Sequence, residues 1–279
     1  MLEIIIAAIG IMMASLVGVL FVQKAAARFL EQRLSLLVAF STGVFLVVTV
    51  LLALEVFHII HSYTEAIAFI LLGYVLAAAL QFLLPESHHH HDEACIKKGS
   101  AKRIIVGDAV HNIADGIILV PAFLVSTGLG ITVTISIFIH EALQEISEFF
   151  VLRKAGYSVK KALAINFAVS STILLGVGIA WFSLATATVE GALLAISSGF
   201  FLHVLIHDLL PHTKESGKDF KTAVLLLILG AMTMFGIDTA LGETHTHGED
   251  EHHAEEHHGE EHHDEAGHSE EEHHGEEPH

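Results

Sequence analysis

Nearly all the apolar residues of this chain fall into eight long stretches, and that feature constrains the fold more than any other. They run over 2–23, 34–60, 65–84, 103–126, 130–152, 161–184, 190–211 and 220–241. Each matches the roughly 20 residues that a helix needs to cross the hydrocarbon core of a bilayer. They are too long for strands and do not alternate in polarity, so strands are excluded. The expected fold is therefore an all-α integral membrane protein with eight transmembrane helices. The first stretch carries Glu3 near its start, is followed by Lys24 and Arg28, and lacks a basic leader, so it reads as a retained helix.

Composition fits this reading. Apolar residues make up 52% of the chain and charged ones 16%, where a soluble domain carries about 25% charged. A single cysteine, Cys95, forms no internal disulfide. The net charge of −18 repels DNA and RNA, so no nucleic-acid partner is expected. The partners expected are the lipid bilayer and divalent metal ions, and the oligomeric state stays open between a monomer and a homodimer.

That charge is unevenly placed. Residues 243–279 hold 15 Asp and Glu, 12 of the 23 histidines and no Lys or Arg. The chain thus divides into a membrane domain over 1–242 and a disordered His/Asp/Glu-rich tail over 243–279. The His-His pairs of the tail suit loose collection of divalent ions.

All 14 basic residues fall in alternate connections. Lys24, Arg28 and Arg33 follow the first stretch, and Lys97, Lys98, Lys102 and Arg103 follow the third. Arg153, Lys154, Lys160 and Lys161 follow the fifth, and Lys214, Lys218 and Lys221 the seventh. The positive-inside rule assigns these four connections to the cytoplasm and both termini to the outside of a cell membrane. The short run His88–His91 is then cytoplasmic, suited to sensing or buffering metal, and the tail is extracytoplasmic.

One internal similarity bears on architecture. Ser41-Thr-Gly-Val-Phe-Leu46 in the second stretch parallels Ser197-Ser-Gly-Phe-Phe-Leu202 in the seventh. The two run in opposite directions under this topology. An inverted repeat of helices 1–3 and 6–8 around helices 4 and 5 produces that relation, as in many secondary transporters.

The fourth and fifth stretches carry groups that do not belong in oil. The fourth holds Asp108, His111, Asn112 and Asp115; the fifth holds His140, Glu141, Gln144, Glu145 and Glu148. An ionisable group at the bilayer centre costs at least about 2.5–3.5 kcal/mol. A cation ligated jointly offsets that cost; pairing within the bundle is the alternative. His111 and Asp115 are four residues apart and share a face, as do His140 and Gln144, and Glu141 and Glu145. His111 lies roughly 13 Å from the cytoplasmic side and His140 roughly 15 Å from the outer side at 1.5 Å per residue. Both sets therefore meet near the middle of a core about 30 Å thick. Imidazole with carboxylate and no thiolate suits Zn²⁺, Fe²⁺, Mn²⁺ or Co²⁺, with Cd²⁺ as a close analogue, carried as substrate and not as a catalytic cofactor. The lack of thiolate argues against a closed structural zinc site.

These motifs resemble the ZIP (Zrt/Irt-like) family of metal transporters. The resemblance rests on His111-Asn-x-x-Asp-Gly116, on His140-Glu-x-x-Gln-Glu145, on Asn166 with Ser170 and Ser171, and on Gly199-Phe-Phe-Leu-His-Val-Leu-Ile-His-Asp-Leu-Leu-Pro211. It implies a 3+2+3 arrangement of helices and a binuclear midplane site. One metal takes His111, Asp115 and Gln144, with His140; the second takes Asn112 and Glu141, with Glu145 nearby. Leu143 stands where the family usually has proline, and Gln144 where it often has His or Glu. The implied activity is divalent-metal uptake into the cytoplasm.

Other polar groups suit a conducting path: Asp108 and Glu148 beside the site, His207 and Asp208 on the cytoplasmic half of the seventh stretch, with His203 a turn away. Glu55, His58 and His61 suit an entrance. Pro121 removes the bond to the Ile117 carbonyl and predicts a kink in the fourth helix. Two rival functions are an intramembrane zinc-dependent hydrolase and a metal sensor or buffer working through the tail. His140-Glu141 opens like the His-Glu-x-x-His zinc motif, but Gln144 replaces the second His. No phosphate-binding loop is present to support ATP-driven transport.

Overall fold

Helices account for the elements of the computed structural model, which describes residues 1–21, 33–83, 98–183, 187–214 and 220–249. In chain order they are α1 (Leu2–Met12), α2 (Leu34–Ile59), α3 (Tyr63–Leu83), α4 (Lys98–Val125), α5 (Thr127–Lys154), α6 (Val159–Ser170), α7 (Ile173–Ser183), α8 (Ala187–Val204), α9 (Leu210–Lys214) and α10 (Phe220–Glu249). No strand occurs among the described residues. By packing, Met1–Gly242 form one compact unit and Glu243–His279 another.

Among the described residues, seven helical segments are long and apolar enough to cross a membrane, counting α6 with α7 and α8 with the turn after it as one each. The first stretch is the exception. Its α-helix stops at Met12 and gives way to a 3₁₀ segment, Met13–Phe21. Ser15 Oγ donates to the Met12 carbonyl at 2.7 Å, and Val17, Gly18 and Val19 are weak helix formers.

Two other stretches expected to be single helices are interrupted. The sixth breaks at Ser171 and Thr172. There Ser171 Oγ donates to the Ala168 carbonyl at 2.6 Å, and Thr172 Oγ1 donates to Val169 O at 2.7 Å and Ala109 O at 2.9 Å. Hydroxyls thus satisfy carbonyls next to the break, which membrane-embedded backbone requires. The seventh widens into a π turn at Leu205–Leu209 before α9. Pro211 has no N–H to offer the His207 carbonyl, which favours a local change of pitch. The fourth stretch instead stays helical through Pro121 to Val125.

Polarity is inverted relative to a water-soluble domain. Phe82, Met232 and Phe182 are 85%, 68% and 90% exposed, whereas Asp108, Glu141 and Glu145 are buried. An apolar exterior of this extent fits lipid as solvent.

Glycines bring backbones together at three seams. A methyl added at Gly116 would overlap the Ile173 carbonyl, and one at Gly176 the Ile113 carbonyl, so α4 and α7 touch main chain to main chain. Gly43 and Gly230 do the same between α2 and α10, and Gly73 and Gly199 between α3 and α8. Small residues permit this approach, and in lipid the gain is close van der Waals packing.

The site is positioned by the α4–α5 hairpin. Only Ser126 lies between the helices, and its Oγ accepts from Leu129 N at 3.0 Å as an N-cap. Residues equidistant from Ser126 therefore stand level: His111 with Glu141, and Asp108 with Gln144. The far end of α5 closes with Gly156 at φ 89°, Tyr157 N donating to Leu152 O and Gly156 N to Arg153 O. That pattern is a Schellman stop.

Candidate metal-binding site

The level pairing brings His111, His140 and Glu141 together, with one possible ligand atom from each within 4.8 Å of the others. His111 Nε2 lies 3.6 Å from Glu141 Oε1 and 3.8 Å from Asp115 Oδ2. The two imidazole rings are 5.4 Å apart, centre to centre. Glu141 is fully buried, and neither of its carboxylate oxygens has a hydrogen-bond partner among the described residues. The same holds for Asp115 Oδ2. Burying a carboxylate without partners costs several kcal/mol, on the order of a whole domain's reserve when repeated. Imidazole nitrogens facing such oxygens are what a borderline divalent ion takes as ligands.

The amide nitrogens of the pattern converge on Asp108. Gln144 Nε2 donates to Asp108 Oδ1 at 2.6 Å and to Glu148 Oε1 at 3.5 Å. Asn112 Nδ2 donates to the carbonyl of Asp108 at 3.1 Å and to its Oδ1 at 3.0 Å, while Ser170 Oγ donates to Asn112 Oδ1 at 3.5 Å. Asn166 Nδ2 donates to the Glu145 carbonyl at 3.0 Å, so α6 is tied to α5 beside the site.

Aromatic packing closes one side. Phe45 of α2 lies 5.3 Å from the His140 ring and stacks on Phe201 of α8 at 4.3 Å and 11°. A cavity of about 70 Å³ adjoins His111; Gln81, Gly107, Phe200, His203 and Asp208 are among its other lining residues. His203 and His207 stack at 4.6 Å, Tyr74 Oη hydrogen-bonds His207 Nε2 at 2.7 Å, and Gln81 Nε2 donates to Asp208 Oδ1 at 3.2 Å. The cavity thus runs from His111 to Asp208.

Glu55 is partly buried, and His58 and His61 are exposed; none of the three joins a group of close ligand atoms among the described residues. His88–His91 and most of the tail, from Asp250 on, lie outside the described residues. Tyr74 and Gln81 were not among the residues expected from the sequence. Tyr74 and Gln81 are seven residues apart, two helical turns on one face, which is a usable signal.

Comparison with known proteins bears on this constellation. The family model described as ZIP Zinc transporter matches residues 86–238, more than half of the chain. The chain belongs to the ZIP family. Human zinc transporter ZIP4 is 38% identical over 108 residues, covering 39% of this chain and 17% of that protein. Drosophila melanogaster zinc transporter foi is 31% identical over 163 residues, 54% of this chain and 23% of its own length. Caenorhabditis elegans zinc transporter zipt-7.2 is 30% identical over 151 residues, 52% of this chain and 32% of its own length. The chain therefore spans under a third of each of these relatives. As a ZIP-family chain with seven membrane-length helices it is a multi-pass membrane protein, and the matched region contains α4, α5 and the whole His111–Glu141 constellation.

Proposed function

We propose that this chain transports divalent metal ions, Zn²⁺ foremost, across a cell membrane and into the cytoplasm through the site between α4 and α5. One observation carries the reading: Glu141 is fully buried beside two imidazoles with both its oxygens unpartnered. A passing cation compensates that arrangement; a static protein has no reason to keep it. The names of the relatives support zinc as the cargo.

His111, Asp115, His140 and Glu141 are the ligands, with Asn112, Gln144 and Glu145 adjacent and Asp108, Glu148, His207 and Asp208 along the route. The ion enters from the side of Glu55 and His58 and leaves through the cavity toward Asp208. The basic connections support a cytoplasmic position for that exit and extracytoplasmic termini. The tail collects ions outside.

The glycine seams support a 3+2+3 inverted repeat. Gly43 against α10 and Gly199 against α3 are equivalent contacts when α2 exchanges with α8 and α10 with α3. Phe45 and Phe201, equivalent positions of the two matching hexapeptides, stack on each other as residues astride a two-fold axis do. Alternating access then follows from movement of one group of helices against the other. The hydrolase reading is weaker: Gln144 stands where the second zinc-binding His is needed, and its amide nitrogen is engaged by Asp108.

Zn²⁺ uptake into proteoliposomes tests the proposal. The wild-type chain should take up zinc, and His111→Ala and His140→Ala should lose nearly all uptake. Equal flux in both variants and the wild type sinks the site assignment.

A further inference from the structure

Asp108, Glu145 and Glu148 form a second group. Asp108 precedes His111 on α4 by three residues, and Glu145 and Glu148 follow Glu141 on α5 by four and seven. Carboxylate oxygens from the three lie within 4.8 Å of one another. The group is therefore about one helical turn from the imidazoles, toward the start of α4 and the end of α5.

The protein satisfies its members only in part. Asp108 is 3% exposed and Glu145 is 0% exposed. Asp108 Oδ1 accepts from Gln144 and Asn112, yet Asp108 Oδ2 has no hydrogen-bond partner among the described residues, nor has either carboxylate oxygen of Glu145. Three ionised carboxylates this close in a medium of low dielectric repel strongly without a cation between them.

We propose that Asp108, Glu145 and Glu148 form a second divalent-cation site built wholly from oxygen. Its ligand set differs in kind from the first. With no imidazole it suits hard cations such as Mn²⁺, Mg²⁺ or Ca²⁺ and holds Zn²⁺ more weakly than His111 and His140 do. Gln144 is the adjustable member. A half-turn of its amide exchanges Nε2 for Oε1 and supplies a fourth oxygen to the same point. Asn112 keeps Asp108 Oδ1 in place, which leaves Oδ2 to face the ion. Resting on the transport reading for its role, the site is a station that an ion leaving the imidazoles meets next, its weaker grip favouring release.

Anomalous diffraction from crystals of the full chain, one set soaked in Mn²⁺ and another in Cd²⁺, decides the matter. Manganese density is expected among Asp108, Glu145 and Glu148, and it should vanish in Glu148→Gln and in Asp108→Asn. Cadmium density among His111, His140 and Glu141 should persist in both variants, which also establishes that they fold. Absence of manganese from the acidic group in the wild type, or an undiminished peak in both variants, overturns the proposal. Manganese retained there with no cadmium at the imidazoles supports this site and removes the ligands of the transport reading instead.

Discussion

Two polar clusters in this protein are handled in opposite ways. Along α3 and the π turn, His207 has the Tyr74 hydroxyl and Asp208 has the Gln81 amide. Between α4 and α5, Glu141, Glu145 and one oxygen each of Asp108 and Asp115 are buried with no hydrogen-bond partner among the described residues. The first lines the cavity through Gln81 and Asp208, and the second reaches it through His111. Compensation sets them apart. The α3 cluster is completed by protein; on the proposed reading, the α4–α5 cluster is completed by the ion that arrives. Removing a group from the first should weaken a contact, and removing one from the second should remove a ligand.

The largest effect expected is from Glu141→Ala or the His111→Ala/His140→Ala pair. Zinc flux in proteoliposomes should fall by roughly a hundredfold or more, beyond the 10–100-fold typical of losing an outer-shell partner. Loss of only a few-fold would erase the contrast between the clusters. Next comes the seam beside the site. Gly116→Ala forces a methyl onto the Ile173 carbonyl, so the detergent-solubilised protein should lose about 1–3 kcal/mol, read as a lower thermal midpoint. Gly236→Ala, where nothing lies within 4 Å of the added methyl, should leave that midpoint unchanged.

Tyr74→Phe sharpens the comparison from the other side. It deletes one hydrogen bond worth about 0.5–1.5 kcal/mol, so flux should drop by no more than roughly tenfold and zinc affinity at the α4–α5 site should hold. An effect as large as that of Glu141→Ala would place Tyr74 among the essential groups. The smallest change is expected from deleting residues 250–279. Uptake should slow at low external zinc and match the full chain at saturating zinc; total loss would favour a sensor working through the tail.

The sequence announced the helical class because hydropathy depends on length and composition alone. The common depth of the His111 and His140 groups was also legible from their distances to the two membrane faces, whereas the one-residue junction at Ser126 that levels His111 with Glu141 was not. Interruptions were not legible. Ser171-Thr172 sits in a run as apolar as its neighbours, and its break depends on the Ala109 carbonyl, 63 residues away, accepting from Thr172. The widened turn at Leu205–Leu209 and the 3₁₀ segment after Met12 likewise involve hydrogen-bond choices that hydropathy does not register. Pro121, by contrast, does not interrupt its helix: α4 is helical through it to Val125. Spacing placed Gln144 beside His140, but that its nitrogen donates to Asp108 and Glu148 follows only from three-dimensional packing.

The glycine seams carry a mechanical consequence. Where Gly116 meets Ile173, or Gly199 meets Ile70, no side chain intervenes that can swivel to absorb displacement. Each joined pair of helices therefore behaves as a plank. Phe45 instead meets the His140 ring at a tilt of 50° and stacks on Phe201, contacts made by side chains alone. On the proposed transport reading, movement runs along those rings, which makes the imidazole of His140 a rider on the moving edge.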